Sequence, residues 1–387
     1  MQLVAVAEIR APAFLRPPSR KPKMSKSNTD NKQASIDIVV LAGDGIGPEI
    51  TAATLTVLEA AAKKFDLPLN FAHETIGFAA LRDSGSTIPD TVFEKARQAA
   101  GVILGPVSHN EYPPVNEGGL NPSGVLRKRL DLYANIRPAR SREGFPPRCG
   151  KPVDLVVVRE NTEGFYADRS MFVGPGEFMP TPDLALSVRK VTRAGSMRIA
   201  EQAFRLARQR RKKLTAVHKA NVLRVSDNLF LECTRTVASQ HPDVAYEERL
   251  IDAMAALLVR DAGAFDVILA TNMFGDILSD EASEIAGSLG LAASLNAGTD
   301  HAVAQAQHGS APDIAGQDKA NPASLIGSAG MLLAWLGERR GNASLIKAAV
   351  AIENALDRAI AVPDTRTSDL GGRLGTAGFA EAVAAAM

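Results

Sequence analysis

Cysteine is scarce in this chain: Cys149 and Cys233 are the only two in 387 residues, far apart and outside any C-x-x-C arrangement. Two such thiols build neither a disulfide framework nor a thiolate metal site, and a reducing cytoplasm is their simplest home. An excess of either charge is missing as well. The 44 Lys and Arg face 43 Asp and Glu, a formal net charge of +1, which gives no electrostatic case for nucleic acid or for an acidic surface. No apolar run approaches the ~18 residues that span a bilayer, and the chain has no internal repeat or low-complexity tract. What is present, 45% hydrophobic and 22% charged residues, is ordinary globular composition and enough for two domains with their own cores.

Residues 1–35 are rich in Pro, Lys, Arg, Ser and Asn, with Glu8 and Asp30 as their acids. Such a segment is compatible with a transit peptide, while Met24-Ser25-Lys26 also reads as an ordinary start; the preferred reading is a disordered extension. The apolar run Ile36–Ala42 predicts a buried strand. Gly43-Asp44-Gly45-Ile46-Gly47 follows, then a helix to about Phe65 with Pro48 in its first turn. These glycines lack the G-x-G-x-x-G spacing of a dinucleotide fingerprint. Strand patterns at Leu69–Ile76 and Gly101–Gly105 alternate with helical ones, which predicts an α/β fold with a largely parallel sheet. The basic run from Arg208 to Lys213 reads as a solvated helix end, because no aromatics interleave it.

Chemistry concentrates where the apolar strand Phe265–Ala270 runs into Thr271-Asn272. Asp276 and Asp280 follow; if the stretch from Phe274 is helical, both stand on one face about one turn apart. An arbitrary D-x-x-x-D is most simply a solvated helix face. This one follows the carboxyl end of a strand, where α/β folds build their sites. A divalent cation between the two acids relieves their repulsion, and all-oxygen ligation without a nearby His or Cys pair favours Mg²⁺ or Mn²⁺ over zinc.

The stretch NMFGDILSDEASEIAGSLGL closely resembles the signature of the metal-dependent β-decarboxylating dehydrogenases, the family of the isocitrate, homoisocitrate, 3-isopropylmalate, tartrate and D-malate enzymes. The resemblance runs from about Ile36 to the C-terminus. It implies a two-domain isocitrate/isopropylmalate dehydrogenase-like α/β fold, with a large discontinuous domain (36–132 and 288–387) for the cofactor. A small domain (133–287) would serve dimerisation, metal and substrate, and the arm Ala167–Leu184 would lock the dimer. Arg127, Arg137 and Arg159 match the family's substrate clamp; a lone arginine is ordinarily a surface solubiliser, but its planar fork binds carboxylates bidentately. Asp252 matches the third metal ligand beside Asp276 and Asp280. Lys219 matches the catalytic base and Tyr166 the acid that protonates C3. The family places Asp252 and Lys219 in the partner's site, so a homodimer would be the smallest complete unit. His218 reads as structural.

His308, Gly309, Ser310, Ala311, Pro312, Asp313 and Ile314, with Asn321, resemble the family's adenosine loop. Where relatives usually carry Glu-Pro upstream of the His-Gly pair, this chain has Gln305-Ala306-Gln307. NADP-using relatives carry Lys-Tyr at Asp313-Ile314, so the resemblance implies NAD; Asp313 taken alone reads equally well as a helix cap. Isocitrate enzymes place Ser and Asn ahead of the first clamp arginine, and here Asn121 and Ser123 stand in swapped order. Asn121 also suits an N-cap with Pro122 as the first helical residue. These residues point to an isocitrate- or homoisocitrate-like substrate. The alternatives are 3-isopropylmalate, tartrate or D-malate, a non-catalytic regulatory subunit, and a metal-independent binding module.

Overall fold

The computed structural model describes residues 35–166 and 176–387. The expected N-terminal extension, save Ser35, and the first part of the expected dimer arm lie outside the described residues.

Along the chain, β1 (Ile36–Leu41), α1 (Gly47–Phe65), β2 (Leu69–Glu74), α2 (Gly77–Ser84), α3 (Asp90–Gln98) and β3 (Gly101–Leu104) come first. Then follow α4 (Pro122–Arg129), β4 (Ala134–Arg140), β5 (Asp154–Glu160), β6 (Glu177–Thr181), β7 (Leu184–Ser187), α5 (Arg193–Gln209) and β8 (Lys213–His218). Next are α6 (Ser226–Ser239), β9 (Ala245–Leu250), α7 (Ile251–Asp261), β10 (Val267–Ala270), α8 (Asn272–Ala286), β11 (Leu295–Ala297) and β12 (Ala302–Gln305). Helices α9 (Ala323–Arg340), α10 (Ala343–Ala361) and α11 (Thr376–Ala386) close the chain.

Ten strands form one sheet in the order β2-β1-β3-β12-β11-β4-β5-β10-β8-β9. Its flanks are parallel, as the βα alternation predicts, but the central pairings β12–β11, β11–β4 and β4–β5 are antiparallel. Within the flanks β3 and β10 are apolar and buried throughout, because helices cover them from both sides, whereas the edge strands β2 and β9 are more polar and only partly covered. We propose the β11–β4 ladder as the domain boundary, with 36–132 and 288–387 on one side and 133–287 on the other. Among the described residues no helix is long and apolar enough to cross a membrane.

Three local features bear on the site. Helix α1 carries Pro48 and Glu49 in its first turn and Lys63 and Lys64 in its last, in keeping with its dipole. Its approach loop needs glycine at position 45: φ is +57°, and a Cβ there would stand 2.0 Å from the Ser310 carbonyl oxygen. That contact presses the first loop onto the loop after β12. The described part of the arm, β6 and β7, is a two-stranded ribbon exposed along its length. The basic run after α5 is not simply solvated. Arg210 is buried against Asp266 at 2.7 Å and Asp154 at 2.8 Å, and Arg208 and Lys212 share Asp243, because the acids that neutralise it come from distant elements.

A buried ion cluster ties β4 to α10 across the proposed boundary. Arg140 meets Glu353 and Asp357 at 2.6 Å each, and Arg142 meets Asp357 at 2.5 Å and Glu353 at 3.2 Å. Burial pushes the Glu353 carboxyl up, but Arg142 and Arg140 outweigh it and hold the group below its ordinary value. An acid whose pKa is depressed by folding adds stability above its unfolded value and loses it as pH falls through the folded one. Glu353→Gln should therefore lower the unfolding free energy at pH 7 by roughly 3 kcal/mol. The deficit should narrow as pH drops below the ordinary glutamate value of 4.5. Urea melts of both proteins at pH 7 and at about pH 3.5 read this directly; an equal deficit at both would refute the charge argument.

Candidate active site

The three arginines of the expected clamp come from α4, β4 and β5 and meet at α8. Arg159, at the carboxyl end of β5, is fixed by Asn272, whose Oδ1 accepts from Nε at 3.0 Å and Nη2 at 2.7 Å. Its Nη1 pairs with Asp276. Arg137, inside β4, donates through Nη1 to Asp276 at 3.1 Å, Ser279 at 2.8 Å and Asp280 at 3.1 Å. Helix α8 comes this close because residue 275 is glycine: a Cβ there would meet the Arg159 Cβ at 2.7 Å. Asp276 and Asp280 do stand one turn apart on one helical face. The face is only partly solvated: the Asp276 and Asp280 side chains are 32% and 50% exposed, and beneath them they cover the buried Arg137.

Arg127, on α4, is held less completely. Its Nη2 reaches Gln305 Oε1 at 3.4 Å, while the buried Nε groups of Arg127 and Arg137 have no partner among the described residues. Burial and the neighbouring Arg137 push the Arg127 guanidinium down to about 10. Burial, then Arg137 and Arg127, push Arg159 well below its usual range. Three cations crowded together with unpaired donors form a site short of negative charge, and a ligand carrying carboxylates supplies what it lacks.

These residues line a cleft of about 700 Å³ together with Asn121, Ser123, Tyr166, Ser294, Gln305, Gln307 and His308. Asn121 is the N-cap of α4, accepting from Gly124 N at 3.2 Å, with Pro122 following. Ser123, one turn before Arg127, is buried and donates to Gln305 Oε1 at 3.0 Å. Tyr166 is 53% exposed, its ring centroid 5.8 Å from the Arg159 guanidinium.

The expected metal ligands are brought together only in part. Asp276 and Asp280 each engage Oδ1, and the second oxygen of each has no hydrogen-bond partner among the described residues. Two such carboxylates, with no nitrogen or sulfur donor in the set, fit a hard divalent cation. Asp252 is not with them. It stands in the first turn of α7, with Oδ1 2.5 Å from Lys219 Nζ, and neither residue lines the cleft. No group of three His, Cys, Asp or Glu among the described residues is placed to hold a metal within one chain.

Lys219 follows β8, and its backbone N–H donates to the buried Asp227 at 2.6 Å, which also pairs with Arg189. His218 accepts from Ala220 N at 3.1 Å through Nδ1, and burial lowers its pKa, in keeping with a structural role.

Of the expected cofactor residues, His308, Gly309, Ala311, Ile314 and Asn321 line a second cavity of about 250 Å³ together with Ile46, whereas Ser310, Pro312 and Asp313 do not line it. His308 and Gly309 line both spaces, so a ligand lying across them joins the two. Burial lowers the His308 pKa, and its Nε2 is buried without a partner among the described residues. Ser310 meets Ser108 at 2.8 Å, Asn321 donates to Asp369 at 2.9 Å, and Pro312–Ile314 form one short turn. Asp313 is exposed in that turn and its side chain caps nothing.

Gln305 and Gln307 line the cleft without an expected role. Gln307 donates through Nε2 to Asp280 at 2.6 Å, with its Oε1 buried and unpartnered among the described residues. The available signal was the departure from Glu-Pro before the His-Gly pair; what it lacked was the distant residues that these amides touch.

A family model described as isocitrate/isopropylmalate dehydrogenase matches residues 37–383. The 3-isopropylmalate dehydrogenase of Archaeoglobus fulgidus is 40% identical, across 90% of this chain and 98% of that protein. The isocitrate/homoisocitrate dehydrogenase of Thermus thermophilus is also 40% identical, with the same shares covered. Among solved structures, isocitrate dehydrogenase from Methylococcus capsulatus superposes with a TM-score of 0.80 at 40% identity, over 90% of this chain and 98% of that one.

Proposed function

The chain belongs to the isocitrate/isopropylmalate dehydrogenase family and is a decarboxylating dehydrogenase acting on a CH–OH group; from that premise we propose that its substrate is a 2-hydroxy acid bearing a 3-carboxylate and a further polar substituent on C3, as in isocitrate or homoisocitrate. NAD⁺ and Mg²⁺ or Mn²⁺ serve as cofactors, and the working unit is a homodimer.

One observation carries the substrate reading. Val107 is the single branched aliphatic side chain among the described residues lining the cleft, whereas Ser123 and Arg127 both meet Gln305 in its wall and Asn121 lines it as well. An isopropyl group would find little to bury against there. A substituent with acceptor oxygens would meet donors. Similarity to relatives does not choose between the two, since an isopropylmalate and an isocitrate/homoisocitrate enzyme are equally identical to this chain.

In the proposed reaction Arg127, Arg137 and Arg159 grip the substrate carboxylates and fix C2 relative to the cofactor cavity. Lys219 of the partner subunit accepts the proton of the 2-hydroxyl as hydride leaves C2. After CO₂ departs, Tyr166 delivers a proton to C3. Asp276, Asp280 and Asp252 of the partner subunit would hold the metal, which when bound supplies Lewis-acid polarisation of substrate oxygens. NAD⁺ would lie across the cavity at His308 to Ile314 and Asn321 and supply the hydride acceptor. The exposed Asp313 favours it, because a carboxylate accepts from ribose hydroxyls and repels a 2′-phosphate.

A substrate panel tests the reading. With Mn²⁺ present, kcat/KM should be compared for isocitrate, homoisocitrate, D-malate, tartrate and 3-isopropylmalate, each with NAD⁺ and NADP⁺. Isocitrate or homoisocitrate should lead, and NAD⁺ should exceed NADP⁺. A lead of about tenfold for 3-isopropylmalate, more than one or two methyl contacts ordinarily give, would overturn the substrate assignment.

A further inference from the structure

Gln305 ends β12 in the wall of the cleft, and the network behind it dictates which way its carboxamide faces. The Leu132 carbonyl can only accept, so Asn161 turns Nδ2 toward it, at 2.9 Å. The same Nδ2 donates to Asn296 Oδ1 at 3.0 Å. That leaves Asn296 Nδ2 as a donor, and it reaches Gln305 Oε1 at 3.2 Å. Arg127 Nη2, which has no acceptor capacity, converges on the same oxygen at 3.4 Å, and Ser123 Oγ at 3.0 Å. A flipped amide would set N–H against N–H at both Asn296 and Arg127. The polarity is held firmly enough to leave Asn161 Oδ1 buried without a partner among the described residues.

The Nε2 of Gln305 therefore lies on the side away from three donors, and no hydrogen-bond partner engages it among the described residues. We infer that Gln305 is a specificity-determining residue whose Nε2–H group donates to an acceptor on the substrate's C3 substituent, which shifts the enzyme's preference toward 2-hydroxy acids in which that substituent ends in a carboxylate. The inference rests on the polar-substituent reading above and gives it a residue. Charge points the same way. A neutral amide beside Arg127 leaves that end of the clamp short of negative charge; a carboxylate at position 305 would supply the counter-charge and repel an anionic substituent.

Gln305→Glu tests this cleanly. The carboxylate has the same shape and still accepts from Ser123, Asn296 and Arg127, so the scaffold behind it is preserved or strengthened. Only the Nε2 group changes, from a donor to an acceptor. The full-length enzyme, with Mn²⁺ and NAD⁺, is assayed on isocitrate and homoisocitrate against 3-isopropylmalate, and melting curves check that each variant folds. The kcat/KM ratio of carboxylate-bearing to alkyl substrate should fall by about tenfold or more in Gln305→Glu. It should fall less in Gln305→Met, which removes the donor without adding repulsion. A ratio within about twofold of wild type in either folded variant, or an equal loss on both substrate types, would overturn the inference and leave Gln305 a scaffold residue. A wild type that favours the alkyl substrate defeats the polar-substituent reading alone, since the response of the ratio still decides the part played by Gln305. A wild type inert to both carboxylate-bearing substrates defeats both.

Discussion

Asp276→Asn should reduce kcat/KM at fixed Mn²⁺ by on the order of 10³-fold while leaving the fold intact. Asp276 is where the arginine clamp and the proposed metal site coincide. One oxygen accepts from Arg137 and Arg159, and the other has no partner among the described residues. An Asn keeps the shape and can still offer one oxygen to the arginines, but it then turns an N–H₂ group toward the cation. Metal affinity should fall along with the rate. The arginines keep other anchors, Arg159 on Asn272 and Arg137 on Ser279 and Asp280, so the melting temperature should move little. Mn²⁺ binding measured by calorimetry, independently of turnover, separates a lost ligand from a disturbed clamp. Wild-type enzyme in excess EDTA should lose its activity; full turnover there, or unchanged Mn²⁺ affinity in the variant, would remove the metal from the proposal.

How much of this was legible in the sequence depended on how local each cause is. The strands β1 and β10 and helices α1 and α8 follow from continuous apolar runs, a proline in the first turn and helical spacing, so their outlines were readable. The Asp276–Asp280 pair was readable for the same reason, being a period within one helix. The antiparallel centre of the sheet was not. Strands β11 and β12 are three and four residues long, too short to show a pattern, and their direction depends on partners far away. Arg127, Arg137 and Arg159 carry no local signature at all; resemblance located them. Arg210 looked solvated because its partners are distant in sequence: Asp154 begins β5 and Asp266 immediately precedes β10. Gln305 was visible as a departure in its loop, yet the orientation of its amide is decided at Leu132, Asn161 and Asn296.

Mixing two inactive variants, Lys219→Met and Asp276→Asn, should restore roughly a quarter of wild-type activity, if each site is built from both subunits of a two-fold dimer. The separation seen within one chain motivates this. Lys219 and Asp252 meet each other at 2.5 Å, but neither lines the cleft that holds Asp276 and the arginines. Exposed apolar side chains come from the same or neighbouring elements. Val222 and Val225 follow Lys219, Val259 is on the helix of Asp252 and Ile277 is on that of Asp280; the four are 54–86% exposed. Apolar side chains left bare beside an incomplete ligand set are what a self-complementary interface covers. When the two variants are refolded together at equal concentration, about half the dimers are mixed. In a mixed dimer one site draws its Asp276 and its Lys219 from the two unmutated copies and is whole, while the other carries both defects. If both residues served the site of their own chain, every site in the mixture would carry one defect and no activity would return. Recovery is read as kcat per total subunit across a titration of one variant into the other, with each variant alone refolded in parallel. A flat line at the level of the single variants would place Lys219 outside the shared site and leave the homodimer without a catalytic role.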